Sequence, residues 1–340
     1  QANADNLTKM QKATNAVNDF VKKIMDTHML LTEVPEVGIE GQPGYKKRHY
    51  TYEDPIKGTT EVDESVTEKI KNDKLKRGRN PFPERTGANA MRDGFMMKFG
   101  TDGHDFIQMF IENNLIDKDG YIKEFEDGPI TTDLSEEVQE TLKDFAKELV
   151  TSFPSGTRFL LEKMVMRKNG SKMIASKADF MAFIPDENTG NVKVDVRDWK
   201  FMNKKEEDYR PENERDLPWY KRSDWKAQMG EYVKMLRDTY GMKVSQLEKA
   251  RMIPFITTYV DTNPFKLVDG LTVTALEIGK IDSLQETNIY LLPVPITNEP
   301  TGVESLDKLL FELNAFYERN FAYKEELTPS EKLKKESKLN

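Results

Sequence analysis

The stretch VKVDVRDWK at residues 192–200 constrains the fold more than any other part of the chain. Read as a β-strand, it places Val192, Val194 and Val196 on one face, because side chains alternate along a strand. Asp198 and Lys200 continue that face. Ionised groups lose hydration there, so a strand with a purely structural role is expected to carry Val or Ile instead. We therefore expect this pair to take part in function, although it is also compatible with a solvated ion pair at a frayed strand end.

Two more strands are predicted immediately before this one. The three predicted strands are residues 158–167, 172–184 and 191–201. Asn169-Gly170, between the first two, is a residue pair that a tight type I′ hairpin turn prefers, and residues 185–190 form a second turn. The result is an antiparallel meander with Glu162 on its first strand and Asp179 on its second.

Asp179 has apolar neighbours of both strand parities, so it is expected to be buried whichever face it takes. These neighbours are Ala178, Phe180, Met181, Ala182 and Phe183. A lone carboxylate in such surroundings needs a strong partner, such as a cation.

Two helices carry further polar residues of interest. A glycine-bearing turn leads into a helix on which His104 shares a face with apolar residues, and a histidine in that position is more often a core residue than a ligand. A later helix, residues 224–240, places Gln228 and Tyr232 one turn apart on one side. An ordinary amphipathic helix is the simpler interpretation of that second pattern.

The remaining elements complete an α/β pattern. Further helices are predicted at residues 5–30, 64–71, 134–151 and 303–320, and further strands at 252–259, 272–278 and 289–294. Residues 33–58 are rich in Pro, Gly and charge without a sustained period, so they are predicted to be irregular. The tail from Leu327 is predicted to be disordered. Strands and helices in this order favour a mixed sheet flanked by helices.

The chain has 340 residues and no cysteine, which excludes disulfides, thiolate nucleophiles, cysteine zinc sites and iron–sulfur clusters. His, Asp and Glu remain as metal ligands. No run approaches the roughly 18 apolar residues of a membrane helix, and no signal peptide opens the sequence. We therefore expect no membrane association and a cytoplasmic location in a bacterial cell.

A net charge of −8 argues against unspecific coating of nucleic acid but leaves room for a local basic channel. The strongest basic run, residues 69–79, has two interpretations. It is either a solvated face or linker, or a phosphate-binding segment in which Lys76, Arg77 and Arg79 contact a nucleic-acid backbone.

The order of these residues and elements resembles the RecB-type branch of the PD-(D/E)XK nuclease superfamily, over residues 94–294. The matching pattern is Gly100-x-x-x-His104, Glu162, Asp179, Asp198-x-Lys200 and Gln228-x-x-x-Tyr232. Ser176 departs from it, since relatives often have glycine three residues before the second-strand Asp. The resemblance implies a restriction-endonuclease-like α/β core, with an antiparallel meander in a mixed central sheet flanked by helices. The implied domains are an N-terminal helical extension (1–87), the core (88–300) and a C-terminal helix with a tail (301–340).

The resemblance also implies roles for the matching residues. His104, Asp179 and Asp198 would bind one or two Mg²⁺ or Mn²⁺ ions, with the backbone carbonyl of Trp199 as a further ligand. Lys200 would orient or help deprotonate the attacking water. Gln228 and Tyr232 would support the site and the DNA backbone, and Glu162 matches an acidic residue found before the metal-binding strand.

The implied activity is metal-dependent hydrolysis of DNA phosphodiester bonds, more of exonuclease or end-processing type, in recombination, repair or replication. DNA would be the partner, and the composition fits a phage or mobile-element origin; protein partners stay unidentified. Two alternatives are open. The chain could be a catalytically idle member that binds DNA ends or serves as a phage structural protein, or an endonuclease acting on branched or single-stranded DNA.

Overall fold

The computed structural model describes residues 2–39, 42–78, 88–205 and 219–259, all within one compact unit. Five α-helices and eight β-strands are found among these residues. The helices are α1 (Ala2–Leu30), α2 (Val66–Lys76), α3 (Ala88–Phe110), α4 (Glu136–Thr151) and α5 (Trp219–Asp238). The strands are β1 (Leu31–Ile39), β2 (Gln42–Asp54), β3 (Gly58–Glu61), β4 (Glu64–Ser65), β5 (Arg158–Asn169), β6 (Lys172–Asp186), β7 (Asn191–Lys205) and β8 (Leu247–Tyr259).

The main sheet has the order β4-β6-β7-β8, with β5 paired to the other edge of β6. β5, β6 and β7 form an antiparallel meander, whereas the β4–β6 and β7–β8 pairs are parallel. The predicted mixed α/β architecture is therefore confirmed. The predicted strands and helices within the described residues are present, with ends that differ by a few residues.

The ladder between β6 and β7 stops halfway along both strands. Its last pair is Phe180↔Arg197. Beyond it β7 continues against β8, while β6 pairs with the short β4 at Ile174 and Ala175. The two strands therefore separate between Asp179 and Asp198.

Aromatic packing against α4 holds one face of the sheet. Phe145 of α4 lies edge-on to Trp199 of β7 and to Phe255 of β8, with ring centroids 5.5 and 5.1 Å apart. α1 packs against β5, β6 and β7, and its Phe20 contacts Phe183 at 5.6 Å between centroids. Residues far apart in the sequence thus cover the strands that carry the candidate site.

Two expectations about the first half of the chain are wrong. Residues 33–58 are not irregular, because β1, β2 and β3 form an antiparallel sheet of their own. Two of its residues, Leu31 and Tyr50, are buried beside Met164 of β5, so partners distant in sequence stabilise it. The glycine-bearing turn before residue 104 is absent as well, since α3 runs through that segment without a break.

Several predictions fall outside the described residues: the strands at 272–278 and 289–294, the helix at 303–320, the tail from Leu327, and Arg79. The domain boundaries at 87 and 300 stay predictions. Within the described ranges, no helix has the length and apolar character needed to cross a membrane.

Candidate metal centre and its surroundings

Three side chains from three different elements meet beside the gap between β6 and β7. His104 of α3, Glu162 of β5 and Asp179 of β6 each offer a ligand atom, and these atoms lie within 4.8 Å of one another. His104 Nδ1 is 3.3 Å from Asp179 Oδ2 and 3.9 Å from Glu162 Oε1. The imidazole therefore faces both carboxylates.

The strand register brings the two carboxylates together. Leu161 pairs with Phe180 and Lys163 pairs with Ala178, so Glu162 and Asp179 stand opposite each other on antiparallel strands. Glu162 has a φ of 50° and is the one non-glycine residue with positive φ among those described. A left-handed backbone at such a residue costs about 1–3 kcal/mol, and strain of this kind concentrates at functional sites.

A close contact between α3 and β7 sets the position of His104. Gly103 lies against the Phe201 ring so tightly that a Cβ atom there would be 2.3 Å from the ring. Only glycine fits this approach. His104 follows directly and packs against the same ring at 5.6 Å between centroids.

Burial and neighbouring charge shift the pKa values of all three groups. Burial, together with the charge of Asp198, raises the pKa of Asp179 to about 7. Burial acts to lower the pKa of His104, but Asp179 and Glu162 outweigh it and leave that pKa raised. Burial acts to raise the pKa of Glu162, but the contacts with His104 and Lys177 outweigh it and leave that pKa lowered. The site thus concentrates negative charge that a cation would compensate.

The geometry fits one divalent cation. Ligand atoms bound at about 2.1 Å to an octahedral ion lie about 3.0 to about 4.2 Å from one another. The two distances from His104 Nδ1, 3.3 and 3.9 Å, fall in this range. Two carboxylate oxygens and an imidazole nitrogen suit Mn²⁺, and the carboxylates suit Mg²⁺. The backbone N–H of Trp199 donates to Asp179 Oδ2 at 2.7 Å, which fixes the orientation of that carboxylate.

A second polar cluster lies on the β7 side of the gap. Asp198, 1% exposed, forms an ion pair with Lys200 through Oδ2. Its Oδ1 accepts hydrogen bonds from Gln228 Nε2 at 3.0 Å and from the Tyr232 hydroxyl at 3.2 Å. The four residues that the sequence placed on β7 and α5 therefore do meet.

The Tyr232 hydroxyl connects this cluster to β6. Besides Asp198, it lies 3.0 Å from the carbonyl oxygen of Lys177 and 3.3 Å from the hydroxyl of Ser176. Burial, together with the charges of Asp198 and Asp179, raises the pKa of Tyr232, so the phenol keeps its proton and acts as a donor. Ser176 stands where glycine was expected, and its hydroxyl makes the contact with the Tyr232 hydroxyl.

Lys177 is a site residue that the sequence analysis missed. Its Nζ is 3.0 Å from Glu162 Oε2 and 3.3 Å from Glu33 Oε2 of β1. Alternation along β6 puts Lys177 on the same face as Asp179, and this signal could have identified it. Glu33 carried no such signal, because its segment was predicted to be irregular.

The structure places the other predicted site residues as follows. Asp198 is not one of the three converging ligands, but it lies close enough to Asp179 to influence its pKa. Its role as a ligand, and that of the Trp199 carbonyl, stay predictions. Glu162, predicted as a catalytic residue but not as a metal ligand, belongs to the converging group. Lys76 and Arg77 are exposed at the end of α2.

No protein-family model, curated protein or solved structure matches this chain.

Proposed function

We propose that this chain is a divalent-metal-dependent DNA nuclease of the RecB-type PD-(D/E)XK kind, acting on DNA ends. One observation carries the proposal. His104, Glu162 and Asp179 converge at the point where β6 and β7 separate, and Asp198 and Lys200 lie on the other side of that gap. Distant parts of the chain thus bring together two halves of one hydrolytic site.

The chemistry of phosphodiester hydrolysis explains why these residue types belong together. A bound Mg²⁺ or Mn²⁺ would stabilise the negative charge that develops on the reacting phosphate and would lower the pKa of a coordinated water. Asp179, oriented by the Trp199 N–H, and Glu162, held by Lys177, would keep the ion in place. Lys200, whose side chain is 28% exposed, would set its ammonium beside the attacking water and the phosphate.

Asp198 holds the Lys200 ammonium by its ion pair. Gln228 and Tyr232 in turn fix Asp198, so the amine has a defined position before substrate arrives. Preorganised charge of this kind lowers the cost of reaching the transition state, because little rearrangement is needed during the reaction. These residues thus share one task, which is to position the Lys200 ammonium near the scissile bond.

The exposed end of α2 is placed suitably for the DNA backbone. α2 and α5 run antiparallel, with Lys69 3.6 Å from Glu231 and Lys74 2.5 Å from Asp224. The Lys76 end of α2 therefore lies toward the start of α5, about one turn beyond the turn that carries Gln228. Cations there would contact phosphates flanking the cleaved bond.

Incubation of the purified chain with linear duplex DNA and Mg²⁺ or Mn²⁺ tests the proposal. We expect nucleotides to be released from ends, and expect Asp198→Asn or Lys200→Ala to lower the rate at least about 100-fold. Lys193→Ala is the matched control, because it removes a lysine from the opposite face of the same strand. It should keep the wild-type rate.

Full activity of Asp198→Asn or Lys200→Ala would contradict the assigned site. Circular single-stranded DNA and flap substrates, assayed beside the linear duplex, separate end-directed cleavage from endonuclease action. Binding of DNA ends without Mg²⁺ or Mn²⁺ binding would instead favour a catalytically idle protein.

A further inference from the structure

The two oxygens of the Glu162 carboxylate face different partners. Oε1 lies 3.9 Å from His104 Nδ1 and is turned toward the candidate metal centre. Oε2 instead lies 3.0 Å from the ammonium nitrogen of Lys177. One oxygen is thus directed to the metal position and the other to a cationic side chain.

The ammonium of Lys177 lies between carboxylates that belong to different sheets. Besides Glu162 of β5, it is 3.3 Å from Oε2 of Glu33 on β1. The side chains of Lys177, Glu162 and Glu33 are 28%, 12% and 30% exposed, so water and salt screen these contacts only partly. Contacts between ionised groups at such distances hold both partners in place.

Other charged groups lie in the neighbourhood of Lys177. Burial and the charge of Glu162 raise the pKa of Asp105, while Lys177 acts to lower it, so this third carboxyl is within electrostatic range of the ammonium. Burial and the charges of Lys163 and Lys177 lower the pKa of His28, which is therefore neutral at neutral pH. The surroundings of the ammonium are thus acidic toward the metal centre, with Lys163 as a second cation near His28.

A second divalent ion beside the first would need the oxygen that Lys177 holds. In hydrolytic sites with two ions, the ions are about 3.5–4 Å apart. A carboxylate that bridges such a pair gives one oxygen to each ion. Because Oε2 of Glu162 is paired with the ammonium, Glu162 cannot bridge two ions unless Lys177 leaves.

The carboxylate on the β7 side of the metal position also has an ammonium partner. Oδ2 of Asp198 is paired with Lys200, and Oδ1 accepts hydrogen bonds from Gln228 and Tyr232. A second ion on this side would compete with Lys200 for the carboxylate. Both flanks of the metal position thus carry a lysine in contact with an acidic group.

We propose that the ammonium of Lys177 takes the place of a second divalent cation, so that this centre binds a single Mg²⁺ or Mn²⁺ ion. Lys177 is a positioning residue, because it acts on the metal through Glu162. A tethered ammonium is present at any metal concentration, whereas a second ion has to be taken up from solution. The inference rests on the metal centre of the proposed function, but it does not depend on the cleavage of DNA.

Removal of the ammonium should open its position to a metal ion. The carboxylate oxygens of Glu162 and Glu33 lie 3.0 and 3.3 Å from Lys177 Nζ. A divalent ion such as Mg²⁺ binds oxygen at about 2.1 Å, so each carboxylate would move by about 1 Å to hold an ion there. Asp105 adds negative charge that favours the ion.

Counting the Mn²⁺ ions bound by the full chain without DNA tests the inference. Equilibrium dialysis at about 0.15 M salt weakens unspecific binding to surface carboxylates. Free Mn²⁺ is raised to about 1 mM, which detects sites of modest affinity. We expect one ion per chain for the wild type and for Lys177→Arg, which keeps the positive charge, and two ions for Lys177→Met.

Lys172→Met is the matched control. Lys172 also pairs with a glutamate, Glu64, at 3.1 Å, and it lies five residues, or about 17 Å, along β6 from Lys177. This variant should bind one ion. If Lys177→Met lacks a cooperative unfolding transition, Lys177→Gln replaces it, because the amide keeps a hydrogen-bond donor without the charge.

Four results would overturn the inference. Two ions in the wild type, both bound more weakly by Asp179→Asn, would show that Lys177 does not exclude a second ion, although the metal centre would stand. One ion in folded Lys177→Met or Lys177→Gln would show that another feature limits the count. A second ion in Lys172→Met as well would show that loss of any lysine suffices. No ion bound by the wild type would contradict the metal centre and the proposed function too.

Discussion

Tyr232 is the side chain on which the geometry of Asp198 depends most. Its phenol lies between Asp198 Oδ1 and the Lys177 carbonyl, and so joins α5 to both sides of the gap. Replacing it with phenylalanine leaves these buried acceptors with one donor fewer, and an unsatisfied buried group costs about 1–3 kcal/mol.

We predict that Tyr232→Phe lowers the free energy of unfolding by about 1–3 kcal/mol and lowers the cleavage rate about tenfold. Tyr240→Phe is the matched control, because that buried hydroxyl accepts from the Met166 N–H at 3.3 Å, away from Asp198. Tyr240→Phe should lower the free energy of unfolding without slowing cleavage. Denaturant unfolding and DNA hydrolysis measure the two effects, and equal activity of the two variants would contradict the role of Tyr232.

Proton and metal compete for the same groups. The pKa of Asp179 rises from 3.8 to about 7 on folding, mainly because of burial, so the folded state binds this proton more tightly than the unfolded state. The contribution of Asp179 to the free energy of unfolding is therefore greatest at low pH and is lost as the pH rises toward 7. The pKa of His104 is raised too, so its contribution also falls as the pH rises.

We predict that the metal-free protein becomes less stable between pH 5 and pH 8, and that Asp179→Asn removes part of this loss, on the order of 2–4 kcal/mol. Mn²⁺ affinity should rise over the same interval, because the metal needs the deprotonated ligands. Denaturant unfolding with chelator and Mn²⁺ titration at each pH measure both. A wild-type stability that follows the same pH dependence as Asp179→Asn would contradict the assignment.

The contact between α3 and β7 depends on glycine at one position and not at another. A Cβ on Gly103 would lie 2.3 Å from the Phe201 ring, whereas a Cβ on Gly100 would lie 3.7 Å from Phe201 Cβ, an ordinary contact. Alanine is otherwise favoured over glycine in a helix by about 1 kcal/mol.

We therefore predict opposite effects for two neighbouring substitutions. Gly103→Ala should cost about 1–3 kcal/mol of stability and weaken Mn²⁺ binding, because it pushes His104 away from the carboxylates. Gly100→Ala should leave Mn²⁺ binding unchanged and keep or raise stability. Thermal unfolding and Mn²⁺ titration test the pair, and similar behaviour of the two variants would contradict this account of the helix contact.

Elements with a clear apolar period could be predicted from the sequence, and elements without one could not. β5, β6, β7 and α5 have alternating or helical patterns, and their site residues are brought together as the order of elements predicts. β1, β2 and β3 have no sustained apolar period, and they pair with one another and contribute Leu31 and Tyr50 to a cluster with β5. Local sequence holds little of that long-range information.

Contacts between elements were the other limit of prediction. The left-handed backbone of Glu162 has no marker in the sequence, because glycine normally occupies such a position. Its place in the metal centre follows from the strand register and from Lys177, not from its neighbours along the chain. Similarly, the glycines before residue 104 indicated a turn, but the helix is continuous there and Gly103 serves the contact with Phe201.

The first part of the chain is integral to the molecule. α1 packs on β5, β6 and β7, and buries Val17, Phe20, Val21 and Ile24. Burial of four such side chains contributes about 6–12 kcal/mol, which is comparable with the whole stability of a typical domain. β4 and Glu33 add a strand to the main sheet and a contact to Lys177.

We predict that a fragment comprising residues 88–340 does not fold, because it leaves this face of the sheet exposed. It should show no cooperative unfolding transition by circular dichroism and no Mn²⁺-dependent nuclease activity, whereas the full chain shows the transition. Cooperative unfolding of the fragment would contradict the packing argument and would support a separate core that begins at residue 88.

A crystal structure of the Mn²⁺-soaked protein, with anomalous data collected at the manganese edge, tests the metal centre most directly. We predict one peak within about 2.0–2.6 Å of His104 Nδ1 and of a carboxylate oxygen from each of Glu162 and Asp179. A peak bound elsewhere, or no peak at a Mn²⁺ concentration that supports activity, would contradict it.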